Sequence, residues 1–508
     1  MNFIILAQSV ALIDSINSSA FRKNKKSESI RFYPAYSFSY QLWQKFNLIK
    51  DANNGDAVAQ HELGIRYLLG DGFEPDTSAA IDWISKSANQ KYYPALYNLS
   101  IMYLNGTGVE WNPYTSFSLM NDAAELGMRE AQYALGLFYS DNLIVKKDME
   151  LTFYWLRKAS SNGYLLADEV MNDFLNAGYK PKPTENGEST FVKKNNSTSG
   201  AVTTPNLQSN VSALTSLVYL DLSDDSLKSI DNNDIFKSFL RHSKINFDST
   251  DINKSIEEFS FSKYLKKIYE YADYGNPECL TMLGYIYSEG LSVEKNLIKG
   301  AEYYFRAIRC ESPYAPQLFW QLSKKLYETI DFKREANNGN LSAKYIWAGL
   351  INLGFEGDIF KSDAVKLLRE ASAKGHIFSQ IELGINLLNS QSEEMKNDGI
   401  KLWREIANTT GNYEAYSRLH LAESSKLENI INIDSILHQL IEINERGGIF
   451  AQLTLAHFYE NGIGLQQNLG LASNYYRQAA SRGSRIGIKS LIRLYNSKRP
   501  ADLIYRLD

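Results

Sequence analysis

The sequence predicts an all-α fold, an α-solenoid of antiparallel helical hairpins with a period of about 36 residues, set in two arrays. Three observations carry that expectation. Leu63-Gly64, Leu99-Ser100 and Leu135-Gly136 recur 36 residues apart, as do Leu383-Gly384, Leu419-His420, Leu455-Ala456 and Leu491-Ile492. In the first series a tyrosine follows each leucine by one helical turn, at Tyr67, Tyr103 and Tyr139, so leucine and ring share a face. Between the two helices of a unit lies a turn such as Gly70-Asp71-Gly72-Phe73, Asn105-Gly106-Thr107-Gly108-Val109 or Asn461-Gly462-Ile463-Gly464. Glycine and asparagine enter the left-handed backbone region cheaply, which lets a helix reverse within a few residues.

Taken in order, residues 1–38 read as an irregular lead-in whose Arg22, Lys23, Lys25 and Lys26 form a solvated basic cluster. The first solenoid is expected over 39–179. It opens with a second helix lacking its first, Tyr40 to Asn54, stopped by Asn53-Asn54-Gly55. Its later second helices run Ala79 to Ala88, Ser116 to Ala124 and Phe153 to Ala159, with Trp83 and Trp155 as bulky core residues, and a half-unit from Tyr164 to Ala177 closes it. Lys180-Pro181-Lys182-Pro183 breaks the helical pattern, and 180–215 reads as a flexible polar linker. Residues 216–262 form a poorly defined helical segment. Its Asp221, Asp224, Asp225, Asp231 and Asp234 lack the spacing and terminal glutamate of a calcium loop, and read as a solvated acidic face.

The second solenoid is expected over 263–508. It begins with another unpaired second helix, Tyr264 to Tyr274, then Leu283-Gly284 with Tyr287, degenerate units around Leu322 and Ala348, and a return to register. A C-terminal cap helix ends it, with Arg482, Arg485, Lys489, Arg493, Lys498 and Arg499 giving a terminal repeat its polar outer face; an anionic docking patch is the alternative.

Composition narrows the classes of function. A chain of 508 residues exceeds one ordinary core and implies two domains or an extended array. A net charge of −4 supplies no bulk attraction to nucleic acid or anionic membrane, so no nucleic-acid partner is expected. Cys279 and Cys310 are too few to staple the chain and read as small core residues. No run of 18 or more apolar residues exists, so no transmembrane segment is expected. Phe3-Ile4-Ile5-Leu6-Ala7 lacks a preceding positive charge, which favours a cytoplasmic protein over one exported behind a cleaved signal.

The combination of Ala-x-x-x-Leu-Gly-x-x-Tyr, a Gly-x-Gly turn and a second helix ending in Ala-Ala or Ala-Ser and Gly resembles the Sel-one-like repeat (SLR), a relative of the tetratricopeptide (TPR) repeat. The resemblance covers about 56–178 and 276–495; the turn glycines are missing between Asn389 and Asn397. It implies a scaffold or adaptor for protein complexes. In tetratricopeptide-like geometry, residues two before and two after the leucine point into a groove. On that basis His61, Tyr97, Ile101, Tyr133, Leu137, Tyr285, Leu453 and His457 are the candidate peptide-groove residues, with packing between repeats as the competing role.

No metal or cofactor site is expected: the six histidines form no His-Glu-x-x-His pair, no Cys-x-x-Cys exists, and the glycine turns follow no strand. No Gly-x-Ser-x-Gly elbow appears, and no small-molecule substrate or enzymatic activity is expected. Some cysteine-rich members of the resembled family are linked to penicillin binding or hydrolysis, but their paired cysteines are lacking here. The reading is a non-catalytic adaptor for a protein or peptide; a cell-wall-related hydrolase, a penicillin-interacting enzyme or a structural envelope protein are the alternatives.

Overall fold

A computed structural model describes residues 38–176, 178–179, 181, 261–329, 332–355, 361–424 and 433–507. All but the edges of the expected lead-in, linker and aspartate-rich segment lie outside them. Among the described residues every regular element is helical, with 22 α-helices and a short 3-10 turn at Leu503–Tyr505. The described residues form two compact units. One holds those through 181 with 468–477 and 489–507; the other holds 261–467 with 478–488.

In the first unit α1 (Phe38–Asn53) precedes three hairpins: α2 (Ala57–Leu69) with α3 (Thr77–Asn89), α4 (Tyr93–Asn105) with α5 (Pro113–Glu125), and α6 (Arg129–Ser140) with α7 (Met149–Ser161). Helix α8 (Leu166–Asn176) packs on α7. Side-chain caps fix the starts: Asp56, Asp76, Asn112 and Asp148 accept from the first-turn amides of α2, α3, α5 and α7. Gly70 and Gly106 end α2 and α4 in the left-handed region, at φ of 72° and 66°.

The second unit begins with α9 (Phe261–Asp273), α10 (Pro277–Glu289) and α11 (Leu297–Arg309). The degenerate stretch forms α12 (Ala315–Thr329), the short α13 (Phe332–Asn337), α14 (Leu341–Asn352) and α15 (Lys361–Ala373). Register then returns through α16 (Ile377–Leu388), α17 (Glu393–Thr410), α18 (Tyr413–Glu423), α19 (Ile433–Glu445) and α20 (Ile449–Asn461). The last two helices are α21 (Leu469–Ser481) and α22 (Arg485–Ser497). The α16–α17 turn has no glycine. Ser392 starts α17 by accepting from Met395, and α17 runs 18 residues before Gly411 stops it.

The repeating leucines are core residues: Leu63, Leu135, Leu283, Leu383, Leu419, Leu455 and Leu491 are all buried. The small neighbour admits the partner helix. A Cβ on Gly64 would sit 2.6 Å from Ile84 Cγ1, and one on Gly136 2.9 Å from Leu156 Cγ. Cys279 and Cys310 are buried free thiols, as expected, and burial raises both thiol pKa values.

The last residues depart from the expected boundary, since 468–477 and 489–507 group with the first unit. There Tyr495 is buried edge-on against Trp111 at 5.2 Å, and its carbonyl accepts from the Tyr114 hydroxyl at 3.0 Å. The basic residues are more than a solvated outer face. Lys498 pairs with Glu110 at 2.6 Å, and Arg499 donates to the carbonyls of Leu143 and Ile144. In the second unit Arg482 forms a two-pronged pair with Glu278 at 2.9 and 2.6 Å. Counting charges in sequence misses this, because carbonyl acceptors and distant glutamates draw arginines inward.

Candidate functional site

The predicted groove residues divide by exposure. Tyr97, Ile101, Tyr133, Leu137 and Leu453 are buried, Tyr133 and Leu137 almost completely, so in this conformation they act as packing rather than as exposed anchors. Tyr133, for instance, lies 4.9 Å from the ring of Tyr164 on the way into α8. Packing of successive helices against one another buries positions that face outward on an isolated helix.

His61, Tyr285 and His457 remain half-buried. The ring of His61 stands edge-on to Tyr92 at 5.5 Å and its Nε2 is 2.7 Å from the Asn98 amide. Burial pushes its pKa down to about 4 against the opposing pull of Glu62. Burial likewise raises the Tyr285 phenol, and His457 contacts Asn461. His61, Tyr97, Ile101, Tyr133 and Leu137 belong to the first unit, and Tyr285, Leu453 and His457 to the second.

A narrow polar cleft lies in the second unit and uses different side chains. It is closely packed, with no free space the size of a water molecule, and is lined from α11 by Arg306 and Arg309, from α14 by Tyr345, from α16 by Phe378 and Glu382, and from α18 by Glu414, with Ile381 and Ile385 between. Arg309 grips Glu382 with both prongs at 2.7 and 2.5 Å, and Asn352 adds a third hydrogen bond at 3.1 Å. Arg418 pairs with Glu414 at 2.9 Å and donates to the Arg309 carbonyl at 2.7 Å, so a cation meets the C-terminus of α11.

Two guanidinium groups cover rings in the same way: Arg306 lies 3.7 Å from the Phe378 centroid and Arg418 3.6 Å from that of Phe450. Arg306 is 3% exposed, and its Nε has no hydrogen-bond partner, although Nη2 reaches the Ala272 carbonyl at 3.4 Å. Burial, reinforced by Glu382 and Glu414, holds the Tyr345 phenol well above its ordinary value. With Glu382 paired to Arg309 and Glu414 to Arg418, the lining presents guanidinium groups and rings.

A sequence signal for this cleft existed. Ile381 and Ile385 occupy the two-before and two-after positions around Leu383, where the groove rule points. Glu382 and Arg418 both immediately precede a register leucine, and Phe378, Glu414 and Phe450 share another repeat position. The pairing of Arg309 with Glu382 had no such signal, since the two are 73 residues apart and on helices of different kind.

Among the described residues, no group of three or more His, Cys, Asp or Glu is placed to hold a metal ion, and no helix is long and apolar enough to cross a membrane.

Comparison with known proteins places the repeats. The Sel1 repeat matches residues 57–92, 94–128, 129–164, 277–312 and 449–484. Among solved structures the chain is similar to a Sel1 repeat protein from Oxalobacter formigenes, at 37% identity, with 26% of this chain and 98% of that chain covered and a TM-score of 0.25. It is also similar, at 20% identity with 90% and 91% covered and a TM-score of 0.31, to a protective antigen present in uropathogenic Escherichia coli strains that displays an SLR fold. No curated protein matches the chain. The cleft falls mostly between the fourth and fifth matched repeats.

Proposed function

Because the chain belongs to the Sel1-repeat family, whose members are generally protein-interaction scaffolds, we propose that it is a non-catalytic adaptor that holds a protein or peptide against the α11–α18 cleft. One observation carries the choice of surface: Arg306 is a buried cation with an unpartnered Nε, next to Phe378 and the half-buried Ile385. An unmatched buried donor is costly, and an acidic side chain from a partner relieves it once the side chains over Arg306 part to admit it. The apolar wall gives a neighbouring partner side chain area to bury. His61, Tyr285 and His457 are the sequence-derived contact positions that keep some exposure.

Site-specific photo-cross-linking tests the reading. A photoreactive residue replaces Ile385 in the whole chain, in otherwise wild-type protein and with Arg306→Ala added. The expected result is a discrete cross-linked protein that disappears with Arg306→Ala while helical content stays unchanged. Identical cross-linking in both, or none in either, overturns the cleft as the contact surface.

A further inference from the structure

The first unit carries a second contact of a different kind. Helix α22 stops at Ser497, and Pro500 prevents its continuation. Beyond it the chain is non-helical except for the turn at Leu503–Tyr505. Within this segment the apolar residues that a core would claim are left out: Leu503 is 76% exposed and Ile504 54%, whereas Tyr505 is 9% exposed. The segment is therefore attached through a few points.

Tyr505 enters an aromatic pocket on α5, 4.9 Å from the ring of Tyr114 at 75° and 6.1 Å from that of Phe117 at 79°. Its hydroxyl donates to the Tyr114 carbonyl at 3.2 Å. Arg499 is the other anchor. Its guanidinium donates to the carbonyls of Leu143 at 2.6 Å and Ile144 at 3.0 Å in the turn after α6, and to the Tyr505 carbonyl at 2.7 Å. An arginine reading backbone carbonyls and an aromatic in a pocket, with exposed residues between, is how a linear peptide is held on a folded surface.

We propose that the Tyr114–Phe117 face with the Leu143–Ile144 turn is a peptide-reading site, occupied in cis by residues 499–505. It takes in trans a linear peptide with an arginine followed six residues later by a tyrosine. Tethering gives the resident segment a high effective concentration, so an outside peptide enters only when that segment is released. This site is separate from the cleft, and its failure leaves the cleft reading untouched.

The test uses the full chain carrying Arg499→Ala and Tyr505→Ala together, and a fluorescein-labelled synthetic peptide of residues 498–507 as probe. Fluorescence anisotropy is expected to show binding to the double variant and at least about tenfold weaker binding to the wild-type chain. The same peptide with Tyr505→Ala should not bind. A folded double variant that ignores the wild-type peptide overturns the proposal and makes the segment a fixed strap. If the double variant loses its helical circular dichroism, hydrogen exchange on the wild-type chain decides. Amides of 501–507 exchanging at least about a hundredfold faster than those of α22 support a releasable segment, and equal protection overturns it.

Discussion

The hairpin of α6 and α7 and the stretch from α16 to α18 share one register and put it to opposite uses. Around Leu135 the flanking positions hold Tyr133, Ala134 and Leu137, all apolar and all within 1% exposure. Around Leu383 the corresponding positions hold Ile381, Glu382 and Ile385, and all three line the cleft. Small apolar neighbours let adjacent hairpins close completely. A buried glutamate must instead be met by an arginine from another helix, so the same register positions carry an ion pair where the first hairpin has only apolar contacts.

The largest effect expected from this contrast is at Glu382. Glu382→Ala leaves Arg309 without its carboxylate and should destabilise by about 3 to 5 kcal/mol, as breaking a buried ion pair from one side does. A melting curve close to wild type would mean that the cleft is not built on that pair. At the regular positions, Leu135→Ala in the first unit and Leu455→Ala in the second should each cost about 2 to 5 kcal/mol, read by thermal or denaturant unfolding. Equal losses confirm one register for both units; a loss in one alone breaks the comparison.

A smaller effect is expected where the register is tight rather than apolar. In Gly64→Ala the new methyl meets Ile84 Cγ1 at 2.6 Å and the Ala80 carbonyl at 3.0 Å, at an overpacking cost of about 1 to 3 kcal/mol. Unfolding that matches wild type would show that α2 and α3 can separate at no cost.

The smallest effect is in pH dependence, where the two units should behave alike. His61 and His420 are each pushed down to about 4 from an ordinary 6.5, first by burial and, at His420, also by Arg404. The unfolded imidazole takes up its proton first. The stabilisation is thus full above pH 6.5 and is lost as pH falls from 6.5 towards 4. Melting temperature against pH should fall less steeply over that window in His61→Gln and in His420→Gln; unchanged slopes in both would remove burial as the cause.

The unpaired helices were legible in the sequence: Tyr40 to Asn54 and Tyr264 to Tyr274 correspond to α1 and α9 within a few residues. The glycine turns gave away the ends of α2, α4, α10 and α20, because a left-handed residue there is a local requirement. Much less of the site was legible. Tyr97, Tyr133 and Leu137 satisfy the groove rule on their own helices, yet all three are buried in the folded chain. The cleft residues meet across 73 residues in one pair and 109 in another, separations that no local pattern encodes.

The sequence by itself determined the helices, their turns and the apolar seam between them, since propensity, capping and a 36-residue register act over one hairpin at a time. Only the tertiary structure decided which positions are buried and what they meet there. It turned Tyr133 inward, set Arg306 beside Phe378 with an unmatched Nε, and seated Tyr505 against Tyr114. Those outcomes depend on how closely successive hairpins approach and on which distant side chain satisfies a buried charge, and both are settled only when the repeats are packed.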